Sequence, residues 1–316
     1  MKTEKISVVL PVYNEEGCIK ELLLEIEKSV NNPLELVVVD DGSTDRTLEI
    51  LKNYKICNLQ NTKKIVVLSR RFGHQHALMA GLSNTSKESE LILVMDSDFQ
   101  DDPHDIMLLL AKIREGYDCV YAVRKSRKEG FLMNLLFNVF YKIHSKFSSY
   151  TIPRNAGSFS IFNRNVLEKI LMFAENDIYF PGLRAYVGYR QTGVKLERKK
   201  RAYGRSRVGF TGLVDLSIIA FFGSSGLPMR MLFFLGLGIM VFCNVTIFIL
   251  FILEILKVVR IPGFGTLLLM IGLSGIQIMF LGIMGEYVGE LFRESKKRPR
   301  WLEKEIIVEG NSSAKK

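Results

Sequence analysis

Short apolar runs and stretches of helical periodicity alternate along the first part of the chain. Ile6–Leu10, Leu34–Val39, Ile65–Leu68, Leu91–Met95 and Cys119–Val123 are short, mostly apolar runs, broken only by Ser7 and Glu35 and bounded by polar residues. Such runs are the signature of strands covered on both faces. Between them, Ile19, Leu22, Leu23 and Ile26 recur at helical spacing toward Val30. A second helix is predicted from roughly Arg46 to Tyr54 with Ser43 or Thr44 as its cap, a third after Gly73, and a fourth over Asp102–Arg114. Strand and helix in alternation predict an α/β fold with a doubly wound, mostly parallel sheet. Arg154–Arg164 returns to loop and strand, and Val166–Phe173 to helix.

The pattern changes further on. Gly130–Tyr150 carries a broad apolar face, Phe131, Leu132, Leu135, Leu136, Val139, Phe140 and Ile143, with basic residues near its end. It reads as an interfacial amphipathic helix, with a buried core helix as the alternative. Phe210–Gly226 is a second such segment. No charge interrupts Met231–Leu253, roughly 35 Å of helix at 1.5 Å per residue, enough to cross a hydrocarbon core. A second span at about 266–288 follows a short loop and carries Gly272, Gly275, Gly282 and Gly285 as close-packing positions. Basic residues crowd both outer flanks, so the positive-inside rule places both termini in the cytosol. The organisation expected is a catalytic domain over 1–229 with interfacial helices near 130–150 and 210–226, a transmembrane hairpin over 230–290, and a cytosolic tail over 291–316.

Composition narrows the partners. Net charge is +10 with 48% hydrophobic residues, which suits an anionic partner: a phosphorylated substrate, an anionic membrane surface or nucleic acid. The basic residues gather beside apolar segments rather than interleaving with exposed aromatics, which argues against nucleic acid. Cys18, Cys57, Cys119 and Cys243 show neither CxxC spacing nor a paired framework, which argues against disulfides and structural zinc. No secretory leader is read at the start of the sequence.

The candidate chemistry lies where strands end. Asp96 and Asp98 follow the run Leu91–Met95, and in open α/β sheets ligands bind outside the carboxyl ends of strands. Two carboxylates so close call for a cation, such as a divalent ion on a diphosphate, and Gln100 adds a neutral oxygen; a solvated loop end is the alternative. Asp40, Asp41 and Asp45 end the second strand, with Asp45 also readable as a helix-start charge. Arg70 and Arg71 suit a phosphate or a solvated basic loop. His74 and His76 read as packing or surface residues, since two apart on a helix they face different ways.

VVLPVYNEE, VVVDDGSTDRT, RRFGHQHALMAG and MDSDFQDDP together resemble the family-two glycosyltransferases of GT-A fold. VYAVRKSR, NAGSFSIFNR, FPGLRAYVGYRQTGV and EYVGELFRESKKRP are similar to its polyprenyl-phosphate branch, which includes undecaprenyl-phosphate glucosyltransferases and relatives of dolichol-phosphate mannose synthase. The resemblance implies that Pro11, Tyr13, Glu15, Asp41 and Arg71 bind the nucleotide sugar, and that Asp96, Asp98 and Gln100 hold Mg2+ or Mn2+. It implies that Arg124, Arg127, Arg198, Arg201 and Ser206 gather the acceptor phosphate.

One position departs from the pattern: relatives carry Asp, assigned as catalytic base, where this chain has Ser158. A phosphate monoester is largely ionised at neutral pH and attacks without a base, so Ser158 accords with a phosphate acceptor. The activity expected is inverting transfer of a hexose from a UDP-sugar to a polyprenyl phosphate at the bacterial plasma membrane, for cell-envelope glycan modification. The alternatives are a membrane glycosyltransferase acting on a sugar hydroxyl, or a catalytically silent scaffold. Self-association through the glycine faces is also compatible with the sequence.

Overall fold

The computed structural model describes residues 4–124, 153, 156–175, 178–197 and 295–309, with scattered positions between 242 and 292. The interfacial helices read at 130–150 and 210–226, and most of the hairpin, lie outside the described residues. Among the described residues no helix is long and apolar enough to cross a membrane. The chain divides into two units, Met1–Ala220 with Pro299–Lys316, and Phe221–Arg298.

The first unit is built on an eight-stranded sheet. Its strands are β1 (Ile6–Val12), β2 (Leu34–Asp40), β3 (Thr62–Leu68), β4 (Leu91–Val94), β5 (Cys119–Arg124), β6 (Ala156–Asn163), β7 (Gln191–Leu196) and β8 (Glu303–Glu309). They lie in the order β7-β5-β6-β4-β1-β2-β3-β8. The strands β1 to β4 are mutually parallel, as their apolar runs predict. The sheet is mixed, however: β6 runs antiparallel to β4 and β5, while β5 and β7 are parallel to each other.

The helices are α1 (Ile19–Ser29), α2 (Thr47–Asn53), α3 (His74–Ser83), α4 (Ile106–Ile113), α5 (Arg164–Leu171) and α6 (Phe180–Tyr186). Every residue of β1, β2 and β4 is buried, because apolar clusters cover both faces of the sheet. One cluster joins α1, α2 and α4 to Ile6, Val8, Leu36 and Leu93; the other joins α3 and α5 to Val9, Val37, Ile92 and Phe162. Gly81 lets α3 lie close: a Cβ there would stand 2.4 Å from Val9 Cγ1.

Two expectations are corrected. Neither Ser43 nor Thr44 caps α2, whose N-cap is Arg46 with no side-chain bond; Ser43 Oγ instead accepts from the Asn14 amide at 3.0 Å. The tail read over 291–316 contains β8, which pairs antiparallel with β3. An edge strand buries little, and β8 accordingly carries only Ile306–Val308 as an apolar run among charged residues. Ile307 packs on the core, Lys63 Nζ meets Glu309 at 2.9 Å, and Arg300 Nη1 donates to the Phe173 carbonyl at 2.7 Å.

Candidate active site

The order β3-β2-β1-β4 reverses the direction of winding between β1 and β4, and the carboxyl ends of neighbouring parallel strands open a ligand site at such a reversal. Tyr13 follows β1 there and Asp96 follows β4. The two strand ends are tied together by the Ser97 hydroxyl, which donates to the Pro11 carbonyl at 2.9 Å. The adjacent loops are cross-bonded as well. Thr44 N donates to Asn14 Oδ1 at 2.7 Å, and Glu15 N to Thr47 Oγ1 at 2.9 Å.

Asp41 organises the loop after β3. Its carboxylate accepts from the backbone amides of Phe72 at 2.6 Å and Gly73 at 2.9 Å. Burial raises its pKa, while these two amides and the nearby Arg71 and His74 act in the other direction. Gly42 permits the approach: its φ is +70°, and a Cβ there would lie 2.8 Å from both Arg70 C and Arg71 N. The loop so held stacks the Arg71 guanidinium on the Tyr13 ring, 4.3 Å from its centroid. A flat aromatic with a cation beside it can receive a nucleobase and a phosphate.

The same loop starts α3 and brings His74 Nε2 to 3.0 Å from Asp96 Oδ1. From the sequence His74 reads as a packing or surface residue; periodicity says nothing of which strand end a helix start will face. Protein packed around the ring disfavours its charged form, but the bond to Asp96 and the charges of Asp96, Asp98 and Asp41 raise its pKa on balance. From β6, Ser158 Oγ donates to the same Asp96 oxygen at 2.8 Å. Asp98 turns back on its own chain, accepting from the Gln100 amide at 3.1 Å, and Phe99 between them adopts φ +58°.

The structure thus gathers Tyr13, Asp41, Arg71, Asp96 and Ser158 through direct or shared contacts, with Asp98 close enough to act on His74. Glu15 is buried beside Cys18, whose thiol lies 3.5 Å from Glu15 Oε2. Arg124 ends β5, whereas Arg127, Arg198, Arg201 and Ser206 lie outside the described residues. Among the described residues no group of three or more His, Cys, Asp or Glu side chains is arranged to hold a metal ion. Asp96 and Asp98 nonetheless fit an ion of the magnesium type, which takes one or two carboxylates and completes its shell from substrate phosphates and water. Both side chains are partly open to solvent.

Comparison with known proteins bears on the family. An uncharacterized glycosyltransferase of Synechocystis sp. is 36% identical, covering 95% of each chain. A bactoprenol glucosyl transferase of Shigella phage SfX is 32% identical over 94% of this chain and 98% of its own. An undecaprenyl-phosphate 4-deoxy-4-formamido-L-arabinose transferase of Shewanella sediminis is 28% identical over 96% and 92%. Among solved structures, glucosyl-3-phosphoglycerate synthase from Mycobacterium tuberculosis matches at a TM-score of 0.47 and 21% identity, over 70% of this chain and 80% of that one, a distant likeness that bears on no residue of the site. The profile of glycosyl transferase family 2 matches residues 7–171, more than half of the 316 and including every element that carries Tyr13, Asp41, Arg71, Asp96 and Ser158, so the chain belongs to that family.

Proposed function

We propose that the chain transfers a sugar from a nucleoside-diphosphate sugar, a UDP-hexose, to the phosphate of a polyprenyl phosphate such as undecaprenyl phosphate. The observation that carries the reading is the convergence of Asp96 and Asp98, the Tyr13–Arg71 stack and Asp41 at one reversal of the sheet. Family membership supplies glycosyl transfer, and the names of two relatives supply the lipid phosphate acceptor. Tyr13 and Arg71 receive the base and a phosphate. Asp96 and Asp98 would hold Mg2+ or Mn2+, which when bound stabilises charge on the departing diphosphate as a Lewis acid. The acceptor phosphate oxygen attacks the anomeric carbon from the face opposite the diphosphate, forming one C–O bond as the other breaks and inverting the centre.

Ser158 supports a phosphate acceptor over a sugar hydroxyl. Its hydroxyl is already committed to Asp96, and a group with a second pKa near 6 needs no base. A membrane setting draws support from the second unit, where Phe242, Phe248, Leu281 and Leu291 are each at least 65% exposed in helical positions. Large exposed apolar side chains in number mark a surface that meets lipid or protein. The setting proposed is the bacterial plasma membrane, with the catalytic unit on the cytosolic face.

The test is to incubate the full-length protein in detergent with undecaprenyl phosphate and a panel of UDP- and GDP-sugars, and to read the lipid product by mass spectrometry. A lipid-linked monosaccharide from one donor, lost in Asp98→Ala, is the expected result. Absence of a lipid product with every donor, or full activity in Asp98→Ala, overturns the reading.

A further inference from the structure

Arg184 lies on α6 within the FPGLRAYVGYRQTGV segment, is fully buried, and is not among the residues assigned above to the nucleotide sugar, the metal or the acceptor phosphate. Its Nη1 donates to the Gly157 carbonyl at 3.0 Å, while Nε and Nη2 find no acceptor among the described residues. Among the described residues the charge has no carboxylate partner. Burial lowers its pKa, and the groups acting in the other direction are Cys119, Tyr121 and Tyr179, none of them a carboxylate. The Cys119 thiol is itself held neutral, its pKa pushed up to about 12 by burial. What the guanidinium has instead is an aromatic bed, its carbon 4.6 Å from the centroid of the Tyr121 ring. That ring is fixed across Gly193 of β7, where a Cβ would stand 2.9 Å from Tyr121 Cε2.

An isolated buried cation is costly, and an apolar side chain of similar volume would fill the space more favourably. The position therefore calls for an explanation beyond packing, and the geometry of β6 supplies one. Tyr121 pairs with Ser160 and Val123 with Ala156, so Gly157, Ser158 and Phe159 lie opposite Ala122 alone. The strand bulges at that point, and bulges beside active sites re-aim a side chain. The re-aimed residue here is Ser158, whose hydroxyl reaches Asp96. The carbonyl that Arg184 holds belongs to Gly157, the residue immediately before it.

We infer that Arg184 is a positioning residue for the transfer: by gripping the Gly157 carbonyl from the Tyr121 platform, it sets the β6 bulge that delivers Ser158 to Asp96 and so fixes the carboxylate that would hold the metal. The inference rests on the assignment of Asp96 to metal binding. It requires that Arg184 act through Ser158, a relation that a purely structural arginine would not show.

The experiment is a double-mutant cycle on the full-length protein in detergent, with Mn2+ alone as probe and free Mn2+ read by electron paramagnetic resonance. Arg184→Met and Ser158→Ala are each expected to weaken Mn2+ binding about 3- to 10-fold, the loss of one hydrogen bond's worth of orientation. The double variant is expected to be no weaker than the weaker single one. Arg184→Lys, which keeps a cation but not the planar fork, provides the same comparison if Arg184→Met does not fold. Wild-type Mn2+ affinity in a folded Arg184 variant, or losses that add in the double variant, overturns the inference and leaves the metal assignment standing. A wild-type protein that binds no Mn2+ overturns both.

Discussion

The Ser158 hydroxyl and the Asp96 carboxylate are joined by a 2.8 Å hydrogen bond across two strands, on the carboxylate oxygen that also faces His74. An aspartate at 158 would set a second carboxylate against Asp96, and two acids at that distance resist being ionised together. Serine instead offers a neutral donor and leaves Asp96 charged. This separates two roles by magnitude. Ser158→Ala is expected to lower transfer less than about tenfold, the scale of one lost hydrogen bond. A general base would cost about 100- to 10,000-fold. Initial rates of lipid-sugar formation at saturating donor decide between them.

Asp96 and Asp98 are expected to act together with the metal. Asp98→Asn keeps the shape and removes the charge, and its transfer rate is expected to fall by roughly 100- to 1,000-fold, the scale of weakening one electrostatic stabiliser of the departing diphosphate, here the cation that Asp98 would hold. Chelation with EDTA should abolish wild-type transfer, and Mg2+ or Mn2+ in excess should restore it. Activity that survives EDTA would remove the metal from the scheme.

Arg71 resting on Tyr13 predicts a binding effect rather than a rate effect. Cation–π contacts are worth about 0.5–2 kcal/mol, so Arg71→Ala should weaken UDP binding about 2- to 30-fold. Tyr13→Leu should do likewise, and the double variant should lose less than the two sums because the residues share one contact. Isothermal titration with UDP measures all three.

Gly42→Ala tests the loop that Asp41 anchors. The substitution meets both a positive φ and backbone atoms at 2.8 Å, so a cost of about 1–3 kcal/mol is expected, seen as a thermal midpoint lower by several degrees. Because the displaced atoms are Arg70 C and Arg71 N, UDP affinity should fall with it. Unchanged stability would mean that the loop yields without strain.

Most of the fold was legible because β1 to β4 are covered on both faces, which forces the mostly apolar runs at Ile6, Leu34, Ile65 and Leu91; the buried Ser7 and Glu35 that interrupt two of them satisfy each other by a hydrogen bond. The turn to a mixed sheet was not. Nothing in Ala156–Asn163 records that it pairs with Leu91–Val94 in the opposite direction, since pairing direction is set by tertiary connection rather than by local pattern. Asp96, Asp98 and Asp41 announced themselves as charges at the ends of apolar runs. His74 and Arg184 did not, because each acts across an interface between elements: α3 onto the end of β4, and α6 onto the bulge of β6. An arginine on a short helix gives no sequence signal of burial.

Strand β8 has a consequence for how the protein is made. It closes the β3 edge from the far side of residues 221–298, so the catalytic sheet is written in two instalments separated by the most apolar stretch of the chain. A ribosome delivers Lys63 long before Glu309, its eventual ion-pair partner. Until residues 303–309 have been synthesised, β3 has an uncovered border of the kind that pairs with other chains. The first unit is therefore completed last: a chain cut short anywhere before Glu303 lacks the strand that closes this edge.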